Sequence, residues 1–444
     1  MKTFRIRPLL YLLVAVVFGA VFGSPFIALT QPRANTEHFS PPGSEKKETS
    51  GALSHARSVL YVSVGEELIR YSVDVAQAKL ERQGSVMLPA YVQEGWLHPT
   101  GRYFYVAWSN RGTSEAKSSG EKSGVTAFRV DSNGALEPHG PPLQLISRPV
   151  YITGDITGTH ILVAYNDPSG IAVYSIAPDG TLSTEVKPAG PLDVGVYGHQ
   201  VRVNPSNKSV ILVTRGNKPA NGKKEDPGAL KIMSYQDGVL ANLASVAPGG
   251  GYGFQPRHLD FHPSKPWAYL TLEAQNKLEM YKISGDGTLG EQPVFVKDTV
   301  ADPGNIHSTQ APSTVHVHPN GRFVYVANRA EDTVNFQSTP VFSGGEDSIG
   351  VFRIDPATGE PTLIQSADTH GFHPRTFSID PSGRLLVVGN QDGLAVRDGN
   401  NIRTVFPGIT LFRIHADGRL EFVSDSHIDT KGKLLYWVMF VKLR

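Results

Sequence analysis

Short runs of alternating apolar and polar residues dominate the chain. Phe323-Val324-Tyr325-Val326-Ala327 and Leu411-Phe412-Arg413-Ile414 are typical, with the β-branched and aromatic residues that suit a pleated, half-buried surface. These runs recur as a larger unit. A strand reaches a polar turn, often through Pro, a second strand follows, then a loop, a third strand, an Asp-Gly or similar pair, and a Leu opening the fourth. Six copies start at Leu97, Ile152, Val201, Leu259, Val315 and Phe377, and a partial copy starting at Val59 lacks its leading strand. Asn133-Gly134, Asp179-Gly180, Asp237-Gly238, Asp286-Gly287 and Asp417-Gly418 supply the positive φ that tight hairpins need. A four-stranded sheet of this size cannot bury both faces alone. Stacked copies at a spacing of roughly 40–60 residues predict propeller blades rather than a sandwich or a solenoid. The fold class expected is therefore all-β, a seven-bladed β-propeller of four-stranded antiparallel blades. Leu434 to Val441 forms one more strand with no hairpin partner after it. It is expected to complete the first blade and so remove an open sheet edge.

The two ends of the chain differ in character. Lys2, Arg5 and Arg7 precede a nearly unbroken apolar run from Leu9 to Phe22. That order of charge and apolarity is the pattern of an export signal. Residues 1–30 are read as a signal peptide or N-terminal anchor, 31–57 as a disordered tether rich in Ser, Pro, Glu and Lys, and 58–444 as the propeller. The expected location is periplasmic or secreted, the expected state a monomer, and the only membrane contact an uncleaved N-terminal segment. Three insertions break the repeat. Residues 217–228 and 335–346 are expected as loops shaping a rim over the central opening, and 112–124 as surface decoration.

Composition narrows the chemistry. Among 444 residues, 42 Lys and Arg stand against 41 Asp and Glu, so net charge provides no reason to expect a nucleic-acid partner. The absence of Cys excludes disulfides, thiolate metal sites and a thiol nucleophile. No phosphate-binding Walker loop, G-x-S-x-G elbow, dinucleotide fingerprint or H-E-x-x-H spacing is present. No cofactor and no metal are expected.

Several longer motifs are more distinctive. They are Gly198-His199-Gln200-Val201 before Asn204-Pro205, Gln255-Pro256-Arg257-His258 before His262-Pro263, Leu272-Glu273, Asn320-Gly321-Arg322-Phe323 through Asn328-Arg329, and His373-Pro374-Arg375-Thr376-Phe377 followed by Asp380-Pro381-Ser382-Gly383-Arg384. In these the chain resembles the seven-bladed propeller lactonase family, which includes propeller-type 6-phosphogluconolactonases and fungal carboxymuconate cyclases. The resemblance covers nearly all the chain from about Val59 onward. It implies a site near the central tunnel, with His199, Arg257, Glu273 and Arg329 as the matching catalytic candidates. One place departs from the family pattern. Thr214-Arg215-Gly216-Asn217-Lys218 stands where Asp-Leu-Gly-x-Asp is more usual.

The residue types fit the chemistry that the resemblance implies. Opening a lactone with water needs a base for the water, positive charge for the carbonyl oxygen and a proton for the departing alkoxide. His199 is of the right type for the base, and Arg257 and Arg329 for the oxygen and any acidic group. Glu273 suits an acid, a base or a partner orienting an arginine. Arg215, Arg375, His258 and His316 are further candidates for substrate binding. Each has a structural alternative: strand capping for His199, an inter-blade salt bridge for Arg257 and Glu273, and packing for the repeated histidines. The expected function is an exported hydrolase opening a small, sugar-derived or anionic lactone at the tunnel mouth. The competing expectations are a non-catalytic binding propeller of the cell envelope and a muconate-type cycloisomerase.

Overall fold

The computed structural model describes residues 57–111 and 119–444. The expected leader and tether, and residues 112–118 of the second-blade insertion, lie outside the described residues. Apart from a single 3-10 turn at Pro248–Gly251, every regular element among the described residues is a strand. Seven four-stranded antiparallel blades follow one another, the second carrying a split outer strand. Blade 4 is representative, with Gly198–Val203 innermost, then Ser209–Thr214, Ala229–Gln236 and Val239–Val246. Its outer hairpin turns at Asp237-Gly238, where both residues have positive φ (50° and 86°) and Gln236 faces Val239. That is the two-residue turn expected from the Asp-Gly signature.

Closure occurs as the sequence predicts. Leu435–Lys442 pairs antiparallel with Ser58–Val64 and becomes the innermost strand of blade 1. Its side chains serve two interfaces. Tyr436, Trp437 and Val441 join the apolar cluster between blades 1 and 2, and Leu435, Val438 and Phe440 join the one between blades 7 and 1. Seven such clusters exist, one between each pair of neighbouring blades. The core is therefore a ring of inter-blade layers, which explains why no single blade could fold alone.

Repeated polar residues latch these layers. Tyr105, Tyr269 and Tyr325, each on a second strand, donate to the carbonyls of Gly180, Gly359 and Gly418 in the outer turn of the next blade at 2.8–2.9 Å. His98, His262 and His318, each followed by Pro, use Nε2 to meet the carbonyls of Gly158, Gly321 and Gly383 in the inner turn of the next blade at 2.8–2.9 Å. Each buried bond of this kind contributes about 1 kcal/mol. The recurrent His-Pro and Pro-x-Gly-Arg motifs are thus fastenings between blades.

The insertions differ from expectation in part. Residues 335–346, expected as a loop, belong largely to a β-hairpin, Thr333–Phe336 with Thr339–Phe342. Its turn residues Gln337 and Ser338 both adopt positive φ without the Asn-Gly or Asp-Gly signature, so the pattern concealed it. A second hairpin, Leu394–Asp398 with Asn401–Val405, interrupts blade 7 and was not anticipated. The two hairpins contribute to a lateral cavity of about 860 Å³ and do not line the axis. In blade 2 the third strand begins at Ser119, so the part of the expected decoration from 119 to 124 is strand. Residues 217–228 form a loop held by paired bridges between Asn217 and Asp226 and between Ala220 and Lys223.

Candidate functional site

The innermost strand of every blade carries an irregularity near its start, where one extra residue opposes the second strand. The extra residues are Tyr436, Gln93, Val150, His199 and Arg375 in blades 1, 2, 3, 4 and 7. In blade 5 Arg257 and His258 together face Thr271, and in blade 6 Ser313 and Thr314 face Ala327. A bulge resets the alternation of side chains and re-aims them. The consequence is a channel divided in two. Tyr436, Val150, His199, Arg257 and Arg375 line one axial cavity, and the residues that follow them, Trp437, Tyr151, Gln200, His258 and Thr376, line a second. Gly198 permits this in blade 4, because a Cβ there would lie 2.4 Å from the Tyr165 carbonyl oxygen of blade 3.

The first cavity, about 280 Å³, gathers six cationic side chains: Arg148, Arg215, Lys218, Arg257, Arg329 and Arg375. Among the described residues, two carboxylates, Glu273 and Glu331, line it with them. Glu273 lies at the centre of the arginines. Its Oε1 accepts from Arg329 Nη2 at 3.2 Å and lies 3.6 Å from Arg215 Nη1, while Oε2 lies 3.5 Å from Arg257 Nε. Burial alone would raise the Glu273 pKa, but the fields of Arg329, Arg257 and Arg215 outweigh it and hold the carboxyl at about 2. Glu273 is therefore ionised at any physiological pH and orients the guanidiniums instead of carrying a proton. Arg257 is 1% exposed, and its Nε and Nη1 have no hydrogen-bond partner. Burial and the like charges of Arg329 and Arg375 weigh against its charge. A guanidinium keeps its proton even so, so Nε faces Glu273 across 3.5 Å while Nη1 is a buried donor able to meet an anion or oxyanion.

His199 is 6% exposed, and its Nδ1 is buried without a partner. Desolvation first, then the charge of Arg257, holds its pKa well below the usual imidazole value. It is neutral and able to accept a proton. His373 plays a different part. Arg329 Nη1 lies 2.7 Å from its Nε2, and a guanidinium can only donate, so the imidazole proton sits on Nδ1 and is donated to Glu331 Oε2 at 3.0 Å. Tyr197, Gln255 and His373 occupy equivalent places, two residues before the bulge, and all have left-handed φ (57°, 41° and 56°). Two of these strained residues hold arginines. The Tyr197 ring lies 4.1 Å beneath Arg215, and His373 meets Arg329. Across the cavity, Tyr436 Oη accepts from Arg375 Nη2 at 2.6 Å and from Arg148 Nη2 at 2.9 Å, and Arg148 Nε donates to Gln93 Oε1 at 2.8 Å.

Six of the eight candidates thus converge: His199, Arg257, Glu273, Arg329, Arg215 and Arg375. His258 and His316 do not. Both line the second cavity, His258 because the bulge sends it to the opposite side from Arg257. His316 and His318, two residues apart, do not act as a pair, since His318 is committed to Gly383. Arg148, Lys218, His373 and Tyr436 were missed. Lys218 comes from the 217–228 insertion, which thereby contributes one side chain to the lining. The signal for Tyr436 was its place one blade-repeat from Arg375, and for Arg148 its place one blade-repeat from Tyr197, two residues before the bulge, each legible only once the bulges are aligned. Glu331, His373 and Asp392 bring potential ligand atoms within 4.8 Å of one another. They do not fit a metal ion, because Arg329 at Nε2 keeps the proton on Nδ1, where the lone pair would be needed.

The chain is thus a closed seven-bladed propeller whose axial cavity is electropositive, with the charge to attract a small anionic or carbonyl-bearing molecule. The family profile described as Lactonase, 7-bladed beta-propeller, matches residues 53–397, and the chain belongs to that family. A 6-phosphogluconolactonase of Bacillus subtilis is 29% identical over 308 residues, covering 66% of this chain and 78% of that protein. A 6-phosphogluconolactonase of Serratia proteamaculans is 25% identical over 336 residues, covering 76% and 88%. Among solved structures, a periplasmic gluconolactonase of Pseudomonas aeruginosa superposes with a TM-score of 0.64 at 20% identity, covering 87% of this chain and all (100%) of that one.

Proposed function

We propose that this protein is an exported lactonase that opens a small lactone in the first axial cavity. The observation that carries this reading is the pairing of the buried Arg257, whose Nη1 has no hydrogen-bond partner, with the neutral, buried His199. His199 takes a proton from water as the water oxygen attacks the lactone carbonyl carbon. Arg257, held by Glu273, meets the oxygen that becomes negative. The ring C–O bond then breaks, and the proton held on His199 passes to the departing alkoxide, so one water is consumed and one hydroxy acid formed. Arg148, Arg215, Arg329 and Arg375 leave an excess of positive charge, which favours lactones bearing an acidic group. The 6-phosphogluconolactonase names of the relatives support lactone chemistry. The basic and apolar leader supports export, and export disfavours an intracellular phosphorylated metabolite as substrate.

Proton release from a panel of neutral and anionic lactones tests the activity. Turnover in the wild type and its loss in Arg257→Ala are expected. No turnover across the panel overturns the reading, and ring closure of a muconate-type diacid in its place would identify the cycloisomerase alternative. Fractionation of cells expressing the full chain tests export, with the propeller expected outside the cytoplasm and retained inside when Lys2, Arg5 and Arg7 become Glu.

A further inference from the structure

The second axial cavity has its own chemistry. It encloses about 300 Å³, is lined from all seven blades, and communicates with solvent beside His316, whose side chain is 34% exposed. Its formal charges cancel locally. Arg202 Nη2 donates to Asp260 Oδ1 at 2.7 Å, and Asp260 Oδ2 accepts from the Val317 amide at 2.8 Å. Glu94 receives the Trp437 indole N–H, and burial pushes its carboxyl up to about 8, so at neutral pH it is an uncharged acid able to donate as well as accept. Trp96, Tyr151 and Trp437 line the cavity between these groups, Trp96 and Trp437 backed by stacking on Tyr105 and Phe104, and Thr376 Oγ1 is buried without a partner. Nothing in this arrangement rewards a charged ligand, because each ion is already neutralised. Flat rings interleaved with donors and acceptors match a molecule with C–H faces and a rim of hydroxyls, and the volume reaches the lower end of the range for small-molecule sites.

We infer that the second axial cavity is a separate binding site for an uncharged polyhydroxylated ring, such as a monosaccharide. This does not depend on the lactonase reading. Trp96 and Trp437 are two of only four tryptophans, so intrinsic fluorescence reports occupancy directly.

The experiment titrates the mature wild-type protein, Glu94→Gln and Glu94→Ala with D-glucose and, separately, with gluconate, and soaks wild-type crystals with glucose. Saturable fluorescence change with glucose is expected, with sugar density beside Trp437. Glu94→Gln, which keeps a donor and an acceptor, is expected to bind within about threefold, and Glu94→Ala about tenfold more weakly, the loss of roughly one good hydrogen bond. Near-ultraviolet circular dichroism confirms that each variant is folded. If Glu94→Ala does not fold, Tyr151→Phe replaces it, with weakened binding expected there too. The proposal is overturned by water alone in soaked crystals, by an unchanged glucose response in the folded variant, or by gluconate binding in this cavity as well as glucose does.

Discussion

At the first axial cavity six cations face two carboxylates, while at the second Arg202 is matched by Asp260 and Glu94 keeps its proton. The same strands build both. Arg257 and His258, Tyr436 and Trp437, and His199 and Gln200 are consecutive residues, yet each pair divides between the two cavities. The difference comes from the bulge in each inner strand, which allows two neighbouring side chains to reach the axis at different depths. Chemistry at one end is therefore separable, in sequence, from chemistry at the other by a single position.

Five variants probe that separation. The largest effect is expected for Arg257→Ala, with kcat/KM for lactone opening falling about 10²–10³-fold, as for loss of one oxyanion donor. Retention of activity would remove Arg257 from the reaction. His199→Gln is expected to cost about 10²-fold in kcat and to abolish the acidic limb of the pH–rate profile, which in the wild type falls below the ordinary imidazole range. The same substitution affects stability. The unfolded chain protonates this imidazole near 6.5 while the folded protein resists, so wild-type stability is lost as pH falls below about 6.5, and His199→Gln should lose less of it in urea titrations.

The double variant His199→Gln with Gln200→His moves the imidazole by one residue. It is expected to remain as inactive as His199→Gln, because position 200 faces the other cavity; restored turnover would contradict the division of the channel. Tyr436→Phe, which removes the oxygen anchoring Arg148 and Arg375, should raise KM for anionic lactones about three- to tenfold with a smaller change for neutral ones. The smallest effect on catalysis is expected for Glu94→Gln, with turnover unchanged. Its signature is instead a stability gain at alkaline pH. The folded protein holds the Glu94 proton up to about 8 and the unfolded chain loses it near 4.5, so wild-type stability declines across that window and the amide does not. Thermal melts at pH 6 and pH 9, two conditions chosen on either side of the folded value, distinguish the two curves.

Much of this was legible in the chain. Strand alternation, Asp-Gly turns and the unpaired terminal strand Leu435–Lys442 specify blades and their closure through local geometry and the need to cover sheet edges, and both are properties of short segments. The family resemblance marked His199, Arg257, Glu273 and Arg329, and their residue types fitted the chemistry. Other features escaped for identifiable reasons. Gln337-Ser338 turns a hairpin without the usual turn residues, and the substrate-binding candidate His258 lies apart from Arg257 because adjacency in sequence says nothing about which side of a bulge a side chain takes. The protonation states were also beyond reach. The ionised Glu273, the neutral His199 and the protonated Glu94 depend on charges supplied by other blades and on burial at the axis. Local sequence thus determined the repeated unit and its ring closure, since those follow from backbone preference and apolar periodicity. Only the assembled ring decided which side chains meet and what charge they bear, because electrostatic fields and desolvation act through space between residues that the chain keeps far apart.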